Sequence, residues 1–202
     1  MPYPDRFYPV VDSISWVARL SKLGVGTIQL RAKNLNDADA LAIVREALAV
    51  TKGTNTKVVV NDYWRAAIEA KAQHLHLGQE DLADADLGAV RKAGLTLGIS
   101  THDDEELATA LKAKPDYIAL GPIFFTTLKS MRFAPQGIAK ITEWKKRVGT
   151  IPLVAIGGIK FEQSAEIFAA GADSIAVVSD VTQNADPDAR VRQWLGANAE
   201  AA

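Results

Sequence analysis

Residues 153–178 read LVAIGGIKFEQSAEIFAAGADSIAVV, and the order of elements in this stretch decides the fold. Leu153–Ile156 is short and apolar throughout, as a strand buried on both faces is. Gly157-Gly158 interrupts it. Phe161–Ala170 then has helical spacing, and Gly171 stops it as a glycine after a helix does. Ser174–Val178 is a second short apolar run. A strand, a helix and a strand joined this closely imply parallel pairing through a right-handed crossover.

The same unit recurs toward the N-terminus. Tyr8–Val11, Thr27–Arg31, Lys57–Asn61, His74–Leu77, Thr96–Ser100 and Tyr117–Leu120 are further Val-, Ile- or Leu-rich runs, making eight with the two above. Amphipathic stretches separate them. Asn36–Val50 carries Leu41, Val44 and Leu48 at helical spacing, with Asp37 and Asp39 near its start. Asp103–Ala113 places Leu107 and Leu111 one turn apart. Eight strand–helix units predict an α/β chain closed as a parallel (β/α)8 TIM barrel, although 202 residues is near the lower limit for one. An open doubly wound sheet is the structural alternative. No Pro/Gly/Ser-rich linker splits the chain, so residues 1–202 read as a single domain. The longest non-periodic stretch is Gly121–Gly137, and loops of that length are usually functional or disordered.

Composition narrows the function. The chain is 48% hydrophobic with a net charge of −1, so it has no basic field that would draw nucleic acid. It has no cysteine, which excludes disulfides, thiolate ligands and thiol nucleophiles. No apolar run spans a bilayer and no signal segment opens the chain, so no membrane partner is expected and the compartment reads as cytoplasmic. No G-x-S-x-G elbow and no P-loop is present, which speaks against acyl transfer and P-loop phosphoryl transfer. Nothing in the sequence sets the oligomeric state.

In a TIM barrel the chemistry sits where strands end and βα loops begin. Those ends carry Gln29, Arg31 and Lys33, then Asn61 and Asp62, then Gln79-Glu80-Asp81, Ser100, Thr126-Thr127 and Lys129, Gly157-Gly158, and Val178-Ser179. Cations and carboxylates on one rim suit an anionic substrate with a divalent metal. Mg²⁺ prefers a few carboxylates plus substrate phosphates, which Asp62 and Asp81 can supply. Arg31, Lys33 and Lys129 can neutralise the remaining phosphate charge. The glycines and the chain after strand eight suit a second phosphate, held by backbone N–H groups.

Plainer roles are open at each position. Asp62 can cap the helix beginning near Trp64, and Ser100 the helix after Thr101. Asp81 can be a solvated loop residue, and Gly157-Gly158 only a tight turn. His74 and His76 share a strand face, but without a third nitrogen or thiolate in view they read as buried or hydrogen-bonded groups. Trp16, Trp64, Trp144 and Trp194 read as packing on helices.

Taken in order, Ile28-Gln29-Leu30-Arg31-Ala32-Lys33, Val60-Asn61-Asp62, His76-Leu77-Gly78-Gln79-Glu80-Asp81, Gly98-Ile99-Ser100-Thr101, Leu120-Gly121-Pro122-Ile123-Phe124, Ala155-Ile156-Gly157-Gly158-Ile159 and Val177-Val178-Ser179 resemble thiamine-phosphate synthases. The resemblance runs from about Tyr8 to Val181. It implies two phosphorylated small-molecule substrates and Mg²⁺. Gln29, Leu30, Arg31, Ala32, Lys33, Asn61, Ser100 and Lys129 would hold a pyrimidine diphosphate. Of these, Arg31, Lys33, Ser100 and Lys129 would be catalytic. Asp62 and Asp81 would bind the metal. Thr126, Thr127, Leu128, Gly158, Val178 and Ser179 would hold a thiazole phosphate. The implied mechanism is dissociative: diphosphate leaves, a pyrimidine methylene cation forms, and the thiazole nitrogen captures it.

One loop departs from the family pattern. Phe125 stands where the family has proline, and Leu128 where it has a second threonine. Losing one hydroxyl bond to a charged phosphate costs roughly 1.5–3 kcal/mol, unless Thr127 substitutes. Asp180 is also unusual beside a phosphate site; pointing inward it repels the phosphate, pointing outward it has little effect. Two other functions remain in view. A thiazole tautomerase of the same superfamily would use His76 or His102 as base. A non-catalytic barrel would bind a phosphate ligand without turnover.

Overall fold

A computed structural model describes residues 3–126 and 133–199. Eight strands alternate with helices: β1 Phe7–Val11, β2 Thr27–Leu30, β3 Lys57–Asn61, β4 His74–Leu77, β5 Thr96–Thr101, β6 Tyr117–Leu120, β7 Leu153–Ile156 and β8 Ser174–Val177. They form a closed barrel in sequence order. Parallel pairing of β8 with β1, Ile175 opposite Phe7, closes the ring and removes the open-sheet alternative. The strands begin and end within one residue of the sequence-based boundaries. Arg31, expected to end β2, still donates its N–H to Val11 O at 2.7 Å, one rung past the strand.

The helices are α1 Ile14–Lys22, α2 Asp37–Val50, α3 Trp64–Glu69, α4 Gln79–Asp84, α5 Leu87–Lys92, α6 Asp104–Lys112, α7 Gly137–Val148, α8 Ser164–Ala169, α9 Ser179–Thr182 and α10 Pro187–Ala199. Caps explain several starts. Asn36 accepts from the Asp39 N–H to open α2, and Asp103 accepts from the Glu106 N–H to open α6. The segment expected as one helix from Phe161 begins instead with a 3₁₀ turn, Phe161–Gln163, before α8. Gly171 follows α8 at φ +109°, a conformation only glycine adopts at no cost.

Alternation along each strand sorts the side chains into two cores. Outward-facing residues such as Ile28, Ile99, Leu120, Leu153 and Ile175 are buried beneath the helices. Inside the ring lie Tyr8, Val10, Val59, Tyr117, Ala119, Val154 and Ala176. The interior is thus filled rather than open, and the functional space lies above it at the strand ends. Among the described residues no helix is long and apolar enough to cross a membrane.

Candidate active site

A cavity of about 540 Å³ opens at the C-terminal ends of the strands. Of the residues singled out in the sequence, Gln29, Arg31, Asn61, Ser100, Thr126, Gly158, Val178 and Ser179 line it. Each sits at a strand end or in the βα loop that follows. A second cavity, of about 290 Å³, is lined by Asp62 and Asp81 among others. Asn61, buried on the first, donates its amide to Asp62 Oδ2 on the second, so the two spaces meet at Asn61-Asp62.

Not every expected residue reaches the cavity. Leu30 points outward and is buried in the core beneath the helices, so only its main chain is available to a ligand. Ala32 and Lys33 follow the strand without lining the cavity, and Lys33 is exposed. Thr127, Leu128 and Lys129 lie outside the described residues. Phe125, one of the two departures in that loop, is 77% exposed.

Two plainer roles are not the ones observed. Asp62 does not cap α3: Tyr63 occupies that position, and no side chain caps it. Asp62 instead adopts a left-handed backbone, φ +65°. Ser100 does not cap α6, a place Asp103 takes; its hydroxyl meets His76 Nε2 at 2.8 Å. Trp16 is not confined to packing, because it also lines the cavity.

The aspartate pair is electrostatically strained. Asp81 is pushed up to about 6, first by burial, then by the charge of Asp62 and by hydrogen bonding with it; Lys33 pulls the other way. Two carboxyls that close together retain a proton where a metal would otherwise neutralise them. No cluster of three or more His, Asp or Glu side chains able to cage a metal occurs among the described residues. A pair of carboxylates suits Mg²⁺, which takes its other ligands from phosphates and water.

The opposite side of the cavity is built from main chain. Gly157 and Gly158 have φ +101° and +67°. A Cβ on Gly158 would lie 2.4 Å from Phe125 O, so only glycine lets these two loops meet. Helix α9 begins at Ser179; Val181 and Thr182 donate to Val178 O, which leaves the N–H groups of Ser179 and Asp180 without an acceptor in the helix. In TIM barrels the loops after strands seven and eight, with a short helix N-terminus, are a common place for phosphate binding. Asp180 points away from it. Its carboxylate accepts from Trp194 Nε1 at 2.8 Å and lies 3.8 Å from Arg190, against α10. The repulsion foreseen for an inward Asp180 therefore does not arise.

The side chains that hold the cavity floor are not among those singled out as site residues from the sequence. His76 is buried at the cavity wall, its Nδ1 meeting Tyr117 Oη at 2.9 Å and its Nε2 meeting Ser100. Tyr117 leans across Gly98, where a Cβ would lie 2.0 Å from the ring. The useful signal was a glycine in mid-strand, which marks a close approach.

Burial pushes His76 down to about 3, with the charge of Arg31 assisting, and burial with Lys57 pushes His74 down to about 4. In the unfolded chain both titrate near 6.5. Their contribution to stability is therefore complete above about pH 6.5 and is lost as pH falls toward the folded values. Asp81, raised in the fold, has the opposite sign and gains stability for the fold as pH falls below about 6. Comparing variants separates the two. The urea midpoint of the wild type should fall more between pH 7 and 5 than that of His76→Gln, and equal slopes would show that His76 does not stay neutral in the fold.

Comparisons with known proteins bear on this site. The family profile described as "Thiamine monophosphate synthase" matches residues 7–181. The chain is 52% identical over 195 residues to the thiamine-phosphate synthase of Rhizobium etli, with 96% of each chain covered. It is 48% identical over 200 residues to that of Salmonella typhimurium, covering 99% of this chain and 92% of the relative. Among solved structures, thiamine phosphate pyrophosphorylase from Pyrococcus furiosus superposes with a TM-score of 0.81 at 28% identity, covering 96% of both chains. The 3-hexulose-6-phosphate synthase of Salmonella typhimurium has a TM-score of 0.75 at 13% identity, a likeness of fold alone.

Proposed function

The chain belongs to the thiamine monophosphate synthase family, and from that premise we propose that it is a single-domain cytoplasmic transferase joining a hydroxymethylpyrimidine diphosphate to a hydroxyethylthiazole phosphate, with Mg²⁺, to give thiamine phosphate and diphosphate. The observation that carries this reading is the Asp62–Asp81 pair beside a cavity lined by Gln29, Arg31, Asn61 and Ser100.

When bound, Mg²⁺ would supply Lewis-acid stabilisation of the departing diphosphate. Asp62 and Asp81 would hold it. Arg31, Lys33 and Lys129 take up diphosphate charge as it grows, while Gln29, Asn61, Ser100 and the main chain of Leu30 and Ala32 orient the pyrimidine. Thr126, Thr127, Leu128, Gly158, Val178 and Ser179 seat the thiazole phosphate opposite, several through backbone N–H groups. Loss of diphosphate to leave a methylene cation asks the protein for charge stabilisation and exclusion of water, not for a nucleophile.

The test is a product assay with both substrates. Thiamine phosphate and diphosphate should appear in equal amounts with Mg²⁺, and excess chelator should lower the rate by at least ~100-fold. An undiminished rate in chelator removes the metal from the mechanism. Isomerisation of a carboxylated thiazole phosphate without a pyrimidine partner would identify the tautomerase instead. Tight substrate binding with no product would identify the non-catalytic barrel.

A further inference from the structure

Five side chains inside the barrel are joined end to end by hydrogen bonds. Gln29 Nε2 donates to Tyr8 Oη at 2.8 Å, and Tyr8 Oη meets Tyr117 Oη at 2.8 Å. Tyr117 Oη meets His76 Nδ1 at 2.9 Å, and His76 Nε2 meets Ser100 Oγ at 2.8 Å. The chain crosses from β2 through β1, β6 and β4 to β5. Gln29, Tyr8, Tyr117 and His76 are all buried. The two ends, Gln29 and Ser100, line the large cavity, as does an edge of His76, while Tyr8 and Tyr117 do not.

With the Gln29 amide nitrogen facing Tyr8, the protons in such a chain run one way at least cost. The Gln29 amide nitrogen donates, so Tyr8 accepts there and must place its own proton on Tyr117. Tyr117 then gives its proton to His76 Nδ1. Both nitrogens of His76 meet hydroxyls and not carboxylates, which suits a neutral ring carrying its single proton on Nε2. That proton goes to Ser100 Oγ. The reverse order would leave the Tyr8 hydroxyl, buried between Gln29 and Tyr117, with a proton and no acceptor. In the favoured order the Ser100 proton is not used by the chain, and it stands at the cavity wall.

We propose that Tyr8, Tyr117 and His76 are positioning residues that set Ser100 as a hydrogen-bond donor, so that the site selects a heteroaromatic ring presenting a nitrogen acceptor there. The proposal rests on the reading of this cavity as the pyrimidine site. His76 acts through Ser100 and moves no proton during turnover. A ring with C–H in place of that nitrogen would leave the Ser100 proton unpaired and bind less well.

Two measurements test this separately. The first is the imidazole ¹⁵N–¹H spectrum of the free protein at pH 7.5, with His76 assigned by comparison with His76→Gln. A protonated Nε2 and a bare Nδ1 are expected; a proton on Nδ1 overturns the direction of the chain, whatever the enzyme's substrates are. The second is steady-state kinetics. His76→Phe and Ser100→Ala should each raise KM for the pyrimidine diphosphate roughly five- to tenfold and leave KM for the thiazole phosphate within about twofold. The double variant should lose no more than either single one, because both changes remove the same bond. His76→Gln, whose amide can still donate to Ser100, should recover most of the loss. Additive losses, an equal rise in both KM values, or failure of glutamine to rescue would reduce His76 to a structural role and overturn the proposal. Absence of any turnover in the wild type would count against the synthase reading, while the tautomer result would stand by itself.

Discussion

Asp62→Asn is expected to lower kcat/KM by on the order of 10²–10³ while the protein remains folded. Asparagine is the informative replacement because Asp62 has φ +65°, a left-handed conformation that asparagine tolerates and alanine does not. The amide oxygen can still accept from Asn61 Nδ2, so the local hydrogen bond survives. What is lost is one of two negative charges. In the metal-free protein that loss relieves repulsion, since the Asp62 charge helps to push Asp81 up to about 6. Thermal stability should therefore be unchanged or slightly higher. A steep fall in turnover without a fall in stability separates a ligand from a structural carboxylate. Wild-type turnover from the folded variant would take Asp62 out of the mechanism.

Gly98→Ala is expected to destabilise the fold by about 3 kcal/mol. The added Cβ would sit 2.0 Å from Tyr117 Cζ and 2.4 Å from its Oη. Both residues belong to neighbouring strands in direct register, Gly98 opposite Tyr117, so neither backbone can move aside without breaking the β5–β6 ladder. The ring has nowhere else to go, because it is fully enclosed between Tyr3, Tyr8 and His76. For a chain of this size the thermal midpoint should drop by roughly 6–12 °C. Turnover should fall as well, since displaced Tyr117 no longer meets His76. An unchanged midpoint would mean that the barrel interior has slack at this position.

These two sites differ in how far the sequence disclosed them. The place of Asp62 at the rim was legible because it directly follows a strand, and strand ends of a TIM barrel converge on one rim whatever the side-chain details. Arg31, Asn61, Ser100, Gly158 and Ser179 were legible for the same reason, and all line the cavity. The strands themselves were legible because runs buried on both faces are apolar throughout and are bounded by turns. Which face of a strand end meets the ligand was harder to see. Leu30 lies between Gln29 and Arg31, yet alternation turns it beneath the helices. Asp180 could not be oriented from sequence, because its partner Trp194 lies 14 residues away on another helix. The Tyr8–Tyr117–His76 chain was hidden for a related reason. Tyr8 and Tyr117 are 109 residues apart, and nothing local marks a tyrosine whose hydroxyl will meet another at the centre of a closed ring. Long-range side-chain pairing of this kind follows from the closure of the barrel, not from the pattern of any one segment.

The most direct test is a crystal of the protein with pyrimidine diphosphate and Mn²⁺ in place of Mg²⁺, examined for anomalous scattering. One peak should lie between the carboxylates of Asp62 and Asp81, within metal–oxygen bonding distance of both and of the diphosphate. A peak bound to the diphosphate alone, or held by other side chains, would contradict the assignment.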